Sequence, residues 1–146
     1  MRLVVQRVEK ASVVVDGKNV GGIGKGLFVL LGIREGDTEK EAELLAEKLY
    51  KLRVMSDEND KMNLSVADVR GSFLVVSQFT LYADTSKGNR PSFIKAANPK
   101  LAEKLYDKFV DLLLEKDIKM ETGVFGAYMK ITTVLDGPVT IILETQ

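Results

Sequence analysis

A chain of 146 residues, 45% hydrophobic and 29% charged, has the size and composition of one folded domain that buries its core without disulfides or a structural metal. Lys and Arg number 21 and Asp and Glu number 21, a balance that argues against strong sequence-independent nucleic-acid binding, and no apolar run reaches the roughly 18 residues of a membrane span. The absence of Cys and His excludes a thiolate nucleophile, an imidazole base, a Ser-His-Asp triad and a conventional zinc site.

The N-terminus, Met1 to Arg7, is apolar too briefly for a signal peptide and has no small-residue cleavage site after it, so a cytoplasmic protein is expected. Strands follow, and Asp16-Gly17 after the run Ser12 to Val15 signals a hairpin, because both residues tolerate positive φ. Gly21-Gly22-Ile23-Gly24-Lys25-Gly26 has the look of a phosphate loop. It fails the test, since Gly26 stands where Ser or Thr should follow Lys25, and the strand-like Leu27 to Leu31 follows in place of a helix. A tight turn with a close backbone approach is expected there.

Thr38 and Glu41 are spaced as a capping box, and Ala42, Leu45, Leu49 and Leu52 form an apolar stripe at helical spacing. Residues 56 to 66 are polar and turn-rich; their acidic residues lack the central Gly and distal Glu of a calcium loop, so a surface loop is expected. Ser72 to Val76 is the most apolar strand-like run of the second half. It leads into Ser77-Gln78-Phe79-Thr80-Leu81 and then an aperiodic loop with Lys87, Arg90 and Lys95, cations that suit either phosphates or plain solvation.

Asn98-Pro99 marks a helix start, with Leu101, Leu105, Phe109 and Leu112 as its buried stripe and Lys100, Lys104 and Lys108 along another face. Two strand patterns close the chain, separated at Gly137-Pro138, where a turn is expected because proline cannot donate to a sheet ladder. The expected fold is α+β: one domain over 1–146, with mostly antiparallel β-sheet layers and two amphipathic helices covering one face.

The stretch from Ser77 to Leu81 collects two hydroxyls, a carboxamide and an aromatic ring at one strand end. Read as a continuing strand, it points Ser77, Phe79 and Leu81 one way and Gln78 and Thr80 the other. The same residues also fit a capped turn beside a good strand former. Any catalysis here must rest on hydroxyls, carboxylates, lysines, backbone dipoles or groups that the substrate brings.

Four ordered motifs, Ser77 to Leu81, Lys87-Gly88-Asn89-Arg90-Pro91-Ser92-Phe93, Thr122-Gly123-Val124-Phe125-Gly126-Ala127-Tyr128-Met129 and Gly137-Pro138-Val139-Thr140, closely resemble the D-aminoacyl-tRNA deacylases, as does the opening Met1 to Val8. One position departs: Leu135 stands where that family commonly has Asn. The resemblance implies a homodimer that hydrolyses the ester between a D-amino acid and the 3′ end of tRNA, with a cis Gly-Pro of one subunit reaching the other subunit's site. It also implies that Ser77, Gln78, Phe79 and Thr80 line the catalytic site, that Gly137 and Pro138 check chirality, and that Phe125 and Met129 wall the pocket for the terminal adenosine.

The expected partners are aminoacyl-tRNA and a second copy of the chain, with no DNA, membrane, metal or cofactor. Glycyl-tRNA, whose amino acid has no side chain to collide with the filter, is an expected second substrate. Two other readings share these features. A non-catalytic RNA-binding or interaction module explains the cations but not the polar cluster beside Phe79. A hydrolase of other D-aminoacyl esters or N-terminal D-residues differs only in what contacts the leaving group.

Overall fold

Two long strands set the architecture in the computed structural model, which describes residues 1–145. The first, β1 (Arg2–Val15), pairs antiparallel with β3 (Gly26–Gly32) over residues 2–8 and with β2 (Lys18–Ile23) over residues 11–15. Asp16 at φ 49° and Gly17 at φ 75° make the expected hairpin turn between β1 and β2. The second long strand, β8 (Lys130–Glu144), runs along the other edge of β1, with Arg2 opposite Glu144 and Val14 opposite Lys130.

Beyond β3 the pairing changes sense. β6 (Ser72–Ser77) lies parallel to β3, and β7 (Lys119–Thr122) lies parallel to β6. The two connections carry the helices α1 (Glu39–Tyr50) and α2 (Pro99–Leu114), giving the sheet its β-α-β character. The fold is therefore the expected α+β arrangement, mostly antiparallel, with two parallel pairs added.

Burial alternates between two faces with the two-residue period of a strand. Leu3, Val5, Leu27, Val29, Leu31, Phe73 and Val75 face both helices in the main core. Val8, Val13, Ile23, Phe28, Leu74 and Val76 form a second core on the opposite face. Burial on both faces explains why Leu27 to Leu31 and Phe73 to Val76 read as continuous apolar runs. The sheet rolls over this second core until β2 nearly meets β7, where a Cβ on Gly21 would lie 2.5 Å from the Thr122 carbonyl oxygen. The glycine run supplies its close approach as well, since a Cβ on Gly26 would fall 1.9 Å from the Ser72 carbonyl oxygen.

Both helix starts follow the sequence signals. The Glu41 carboxylate accepts from the Thr38 N–H at 2.7 Å, and the Thr38 hydroxyl accepts from the Lys40 N–H at 3.3 Å. Asn98 caps α2 by accepting from the Leu101 N–H at 3.0 Å. Ala42, Leu45 and Leu49 are buried on α1. On α2, Leu105 and Phe109 are buried with Ala102, Tyr106 and Leu113, while Leu101 and Leu112 pack at the flank. The lysine face of α2 is partly engaged, because Lys104 and Lys108 reach Glu39 of α1 at 3.1 and 4.0 Å. Lys116 and Lys51 both pair with Glu47 and pull its carboxyl down to about 2.

Residues 56 to 66 differ from the expected loop. They hold a small hairpin of β4 (Met55–Ser56) and β5 (Met62–Leu64), organised by Asp57, whose carboxylate accepts from Asn59, Lys61 and Asn63. The start of β1 and the end of β8 are stitched together at the Met1 ammonium, which is buried and donates to Asp37 Oδ1 at 2.7 Å and Thr145 Oγ1 at 2.8 Å. Burial lowers the pKa of this ammonium, against the pull of Asp37. No helix is long and apolar enough to cross a membrane among the described residues.

The Asn98 cap is testable in isolation. Asn98→Ala is expected to lower stability by about 1 kcal/mol with an unchanged denaturant slope, measured by urea unfolding.

Candidate active site

The strand reading of Ser77 to Leu81 is corrected by the structure. The Gln78 N–H donates to the Leu31 carbonyl at 2.8 Å in the last rung between these segments, and β3 itself ends at Gly32. With no strand left to pair with, the chain winds into a 3-10 turn, Phe79–Tyr82, in which Leu81 N–H bonds Gln78 O at 3.3 Å and Ala83 N–H bonds Thr80 O at 3.0 Å. Gly32 allows the turn to sit against the strand end, since a Cβ there would lie 3.0 Å from Leu81 Cβ. The alternation of faces is thereby lost. Gln78 and Thr80 are joined through a bond from Gln78 Nε2 to Thr80 Oγ1. The leading N–H groups of the turn, on Phe79 and Thr80, have no acceptor within it.

These strand ends open on a cavity of about 570 Å³, well within the size range of small-molecule sites. Ser77, Gln78 and Phe79 contribute from the end of β6, and Phe125 and Met129 from the segment between β7 and β8. Phe79 meets Phe93 edge-on, with ring centroids 5.1 Å apart. Phe125 is backed by Tyr106, 5.8 Å away, whose hydroxyl donates to the Val75 carbonyl at 2.9 Å. Burial pushes that hydroxyl up to about 12, so it stays a donor that ties α2 to β6 just before Ser77. Met129 fills the space beside Gly123, where a Cβ would lie 2.6 Å from its sulfur. Among the described residues, the cavity lining contains no carboxylate, lysine or arginine.

Five of the eight residues singled out in the sequence thus line one cavity. Thr80 is exposed on the adjoining turn, tethered to Gln78, and is not part of the lining. Gly137 and Pro138 are also outside it, exposed on β8. The expected turn at this dipeptide is not formed. Gly137-Pro138 lies within the continuous strand β8, its peptide is cis, and the ladder with β1 absorbs it by shifting register around residues 6–10. Proline is tolerated because, among the described residues, β8 pairs only with β1, so its missing N–H breaks no second ladder.

Arg7 was missed in the sequence, although a cation interrupting the apolar pattern of β1 was a usable signal. Its side chain is 11% exposed and braces the Gly137 segment, with Nε 3.0 Å from Asp136 Oδ2 and Nη1 donating to the Val54 carbonyl at 2.9 Å. Phe93, Tyr128 and Ile131 also line the cavity; Phe93 and Tyr128 lie within two of the four sequence motifs without a role assigned there, and only its contacts identify Ile131. Of the loop cations, Lys95 pairs with Asp84 at 2.8 Å and, with Ser86, holds that carboxyl well below the usual carboxylate range. Lys87 and Arg90 are exposed.

A rolled sheet whose parallel strands end at an uncharged, aromatic-lined cavity defines a small α+β protein suited to a compact ligand with an apolar or planar body. More specifically, the chain belongs to the D-Tyr-tRNA(Tyr) deacylase family, whose model matches residues 4–144. It is 58% identical to the D-aminoacyl-tRNA deacylase of Desulfatibacillum aliphaticivorans over 146 residues, covering 100% of both chains. It is 56% identical to that of Koribacter versatilis (strain Ellin345), covering 100% of this chain and 98% of the relative. Among solved structures, one titled c-Myc DNA Unwinding Element Binding Protein is similar at a TM-score of 0.94 and 44% identity, covering 100% of this chain and 99% of the other.

Proposed function

We propose that this chain is a D-aminoacyl-tRNA deacylase, which hydrolyses the ester joining a D-amino acid to the 3′ end of tRNA and works as a cytoplasmic homodimer. The observation that carries the reading is full-length family membership in a chain whose cavity gathers Ser77, Gln78, Phe79, Phe125 and Met129. An aminoacyl ester is already activated, so its hydrolysis calls for a placed water and a stabilised oxyanion more than for a strong base. The cavity supports such chemistry, because no carboxylate or amine in its lining could activate Thr80 as a nucleophile.

The mechanism is therefore non-covalent. Water adds to the ester carbonyl, the oxyanion of the tetrahedral intermediate accepts from the Phe79 and Thr80 N–H groups, and the ribose 2′-hydroxyl orients the water. Collapse of the intermediate restores the carbonyl and breaks the bond to the ribose 3′-oxygen, which takes up the proton released by the water. Thr80, held by Gln78, positions the water. Phe125 and Met129 wall the adenosine.

Gly137 and Pro138 act as the chirality check from the partner subunit. Two features support this. They lie exposed and away from their own protomer's cavity, and β8 presents an unpaired edge with Ile131, Leu135 and Ile142 exposed, a liability that a second copy removes. Their carbonyl oxygens receive the substrate ammonium, an L side chain collides with the backbone, and glycine passes. The paired edge also suits Leu135, an apolar residue where the family commonly has Asn.

Matched D-, L- and glycyl-tRNA, together with a D-aminoacyl methyl ester, which lacks both tRNA and adenosine, test the activity. Rapid loss of the D- and glycyl-tRNA esters alone is expected. Loss of both D substrates points instead to a general D-aminoacyl esterase, and loss of none points to a binding module.

The oxyanion role separates at Phe79. Phe79→Ala keeps the N–H and loses the ring, whereas Phe79→Pro loses both, at a first turn position that accepts proline after Gln78, whose ψ of 86° is not helical. The Pro variant is expected to turn over about 100-fold more slowly than the Ala variant in single-turnover assays.

Subunit sharing is tested by mixing two inactive variants, Phe79→Pro and Gly137→Ala. Gly137 has φ 124°, and a Cβ there would lie 2.9 Å from Val139 Cγ2, so alanine distorts the segment. Mixed dimers hold one intact site, and recovery of about a quarter of wild-type activity is expected. No recovery, with sedimentation showing mixed dimers, rules out a shared site.

A further inference from the structure

Tyr128 is the most exposed aromatic residue at the cavity, 86% accessible, although it contributes to the lining. It takes part in neither of the aromatic pairs among the described residues. Its backbone is well fixed all the same. The preceding turn is closed by the Ala127 N–H to the Val124 carbonyl at 3.2 Å with Gly126 at φ 74°, and β8 starts two residues later at Lys130. Next to it, Met129 is half-buried and packs against the second core. A ring held on a fixed backbone yet packed against little is costly to leave in water, and it shares the lining of this cavity with a second half-bare ring, Phe79, 54% exposed.

We infer that Tyr128 is a stacking platform for the base of the nucleotide that precedes the terminal adenosine in the tRNA's single-stranded 3′ end. The inference rests on the deacylase reading, which places the terminal adenosine inside the cavity. The strand must then leave over the rim, where the next base is unpaired and presents a π-face. Proteins hold single-stranded bases by such aromatic stacking, which is tolerant of sequence and needs no cation. That suits a cavity whose lining carries no lysine or arginine. Tyr128 is thus a substrate-positioning residue. It gives tRNA an advantage over the bare aminoacyl-adenosine ester without touching the reacting carbonyl.

The test uses the full chain and two substrates, D-tyrosyl-tRNA and the D-tyrosyl ester of adenosine. Tyr128→Ala is expected to raise KM for the tRNA roughly 10-fold more than KM for the adenosine ester, with Tyr128→Phe and Tyr128→Trp restoring the wild-type ratio. An equal change in both substrates, or a ratio that Phe does not restore, overturns the inference. A second readout needs no turnover: an RNA hairpin with a single-stranded 3′ end, carrying a fluorescent base next to the terminal adenosine. Quenching by wild type, its loss in Tyr128→Ala and its return in Tyr128→Trp are expected. Equal quenching by wild type and Tyr128→Ala overturns stacking, as does a fall in sedimenting mass for Tyr128→Ala, which assigns the ring to contact between copies. Failure of wild type to cleave either ester, with quenching intact, removes the deacylase reading and leaves the stacking result standing.

Discussion

The parallel pairing of β3 with β6 is the constraint on which the site depends. It begins where glycine lets the Gly26 backbone lie against Ser72 and ends where the Gln78 N–H meets the Leu31 carbonyl. Because β7 continues in the same sense, three strands finish at one end of the sheet and release their chains around a common space. Ligands in sheets of parallel strands gather at such carboxyl ends, where loops diverge and backbone groups lack ladder partners. Here one strand end turns into the Phe79–Tyr82 turn and another leads to Phe125 and Met129. An antiparallel neighbour to β6 would have filled that end with a hairpin.

Local signals were legible in the sequence and distant ones were not. The helix starts at Thr38 and Asn98-Pro99 and the hairpin at Asp16-Gly17 appear where residues within four positions dictate them. The strand-helix-strand order was also visible, but the parallel partnership of β3, β6 and β7 depends on contacts between remote segments. Ser77 to Leu81 shows the limit most clearly. Its residues favour extension, and what turns them is the end of β3 at Gly32, far earlier in the chain. Gly137-Pro138 is the converse case. Proline signals a break, yet the strand runs through because β8 needs only one neighbour.

The cavity's chemistry is defined by what its walls can and cannot offer. An ammonium-bearing substrate meets no carboxylate there, only carbonyl dipoles, hydroxyls and a carboxamide. Such groups do not change charge near neutral pH, so their effect depends on placement alone. The placement is secured by Tyr106 on the Val75 carbonyl and Met129 beside Gly123, while Arg7, between Asp136 and Val54, braces the Gly137 segment.

The pairing of Arg2 with Glu144 has a consequence for how the chain comes to be folded. β1 is made first, but one whole edge of it is covered by the last strand, and the Met1 ammonium finds Thr145 only after that strand has docked. Contacts so far apart in sequence close slowly, because the intervening chain must be ordered first. On the ribosome, the growing polypeptide therefore carries an apolar β1 with a bare edge until β8 emerges. A nascent chain stalled before β8 is the form of this protein most exposed to aggregation.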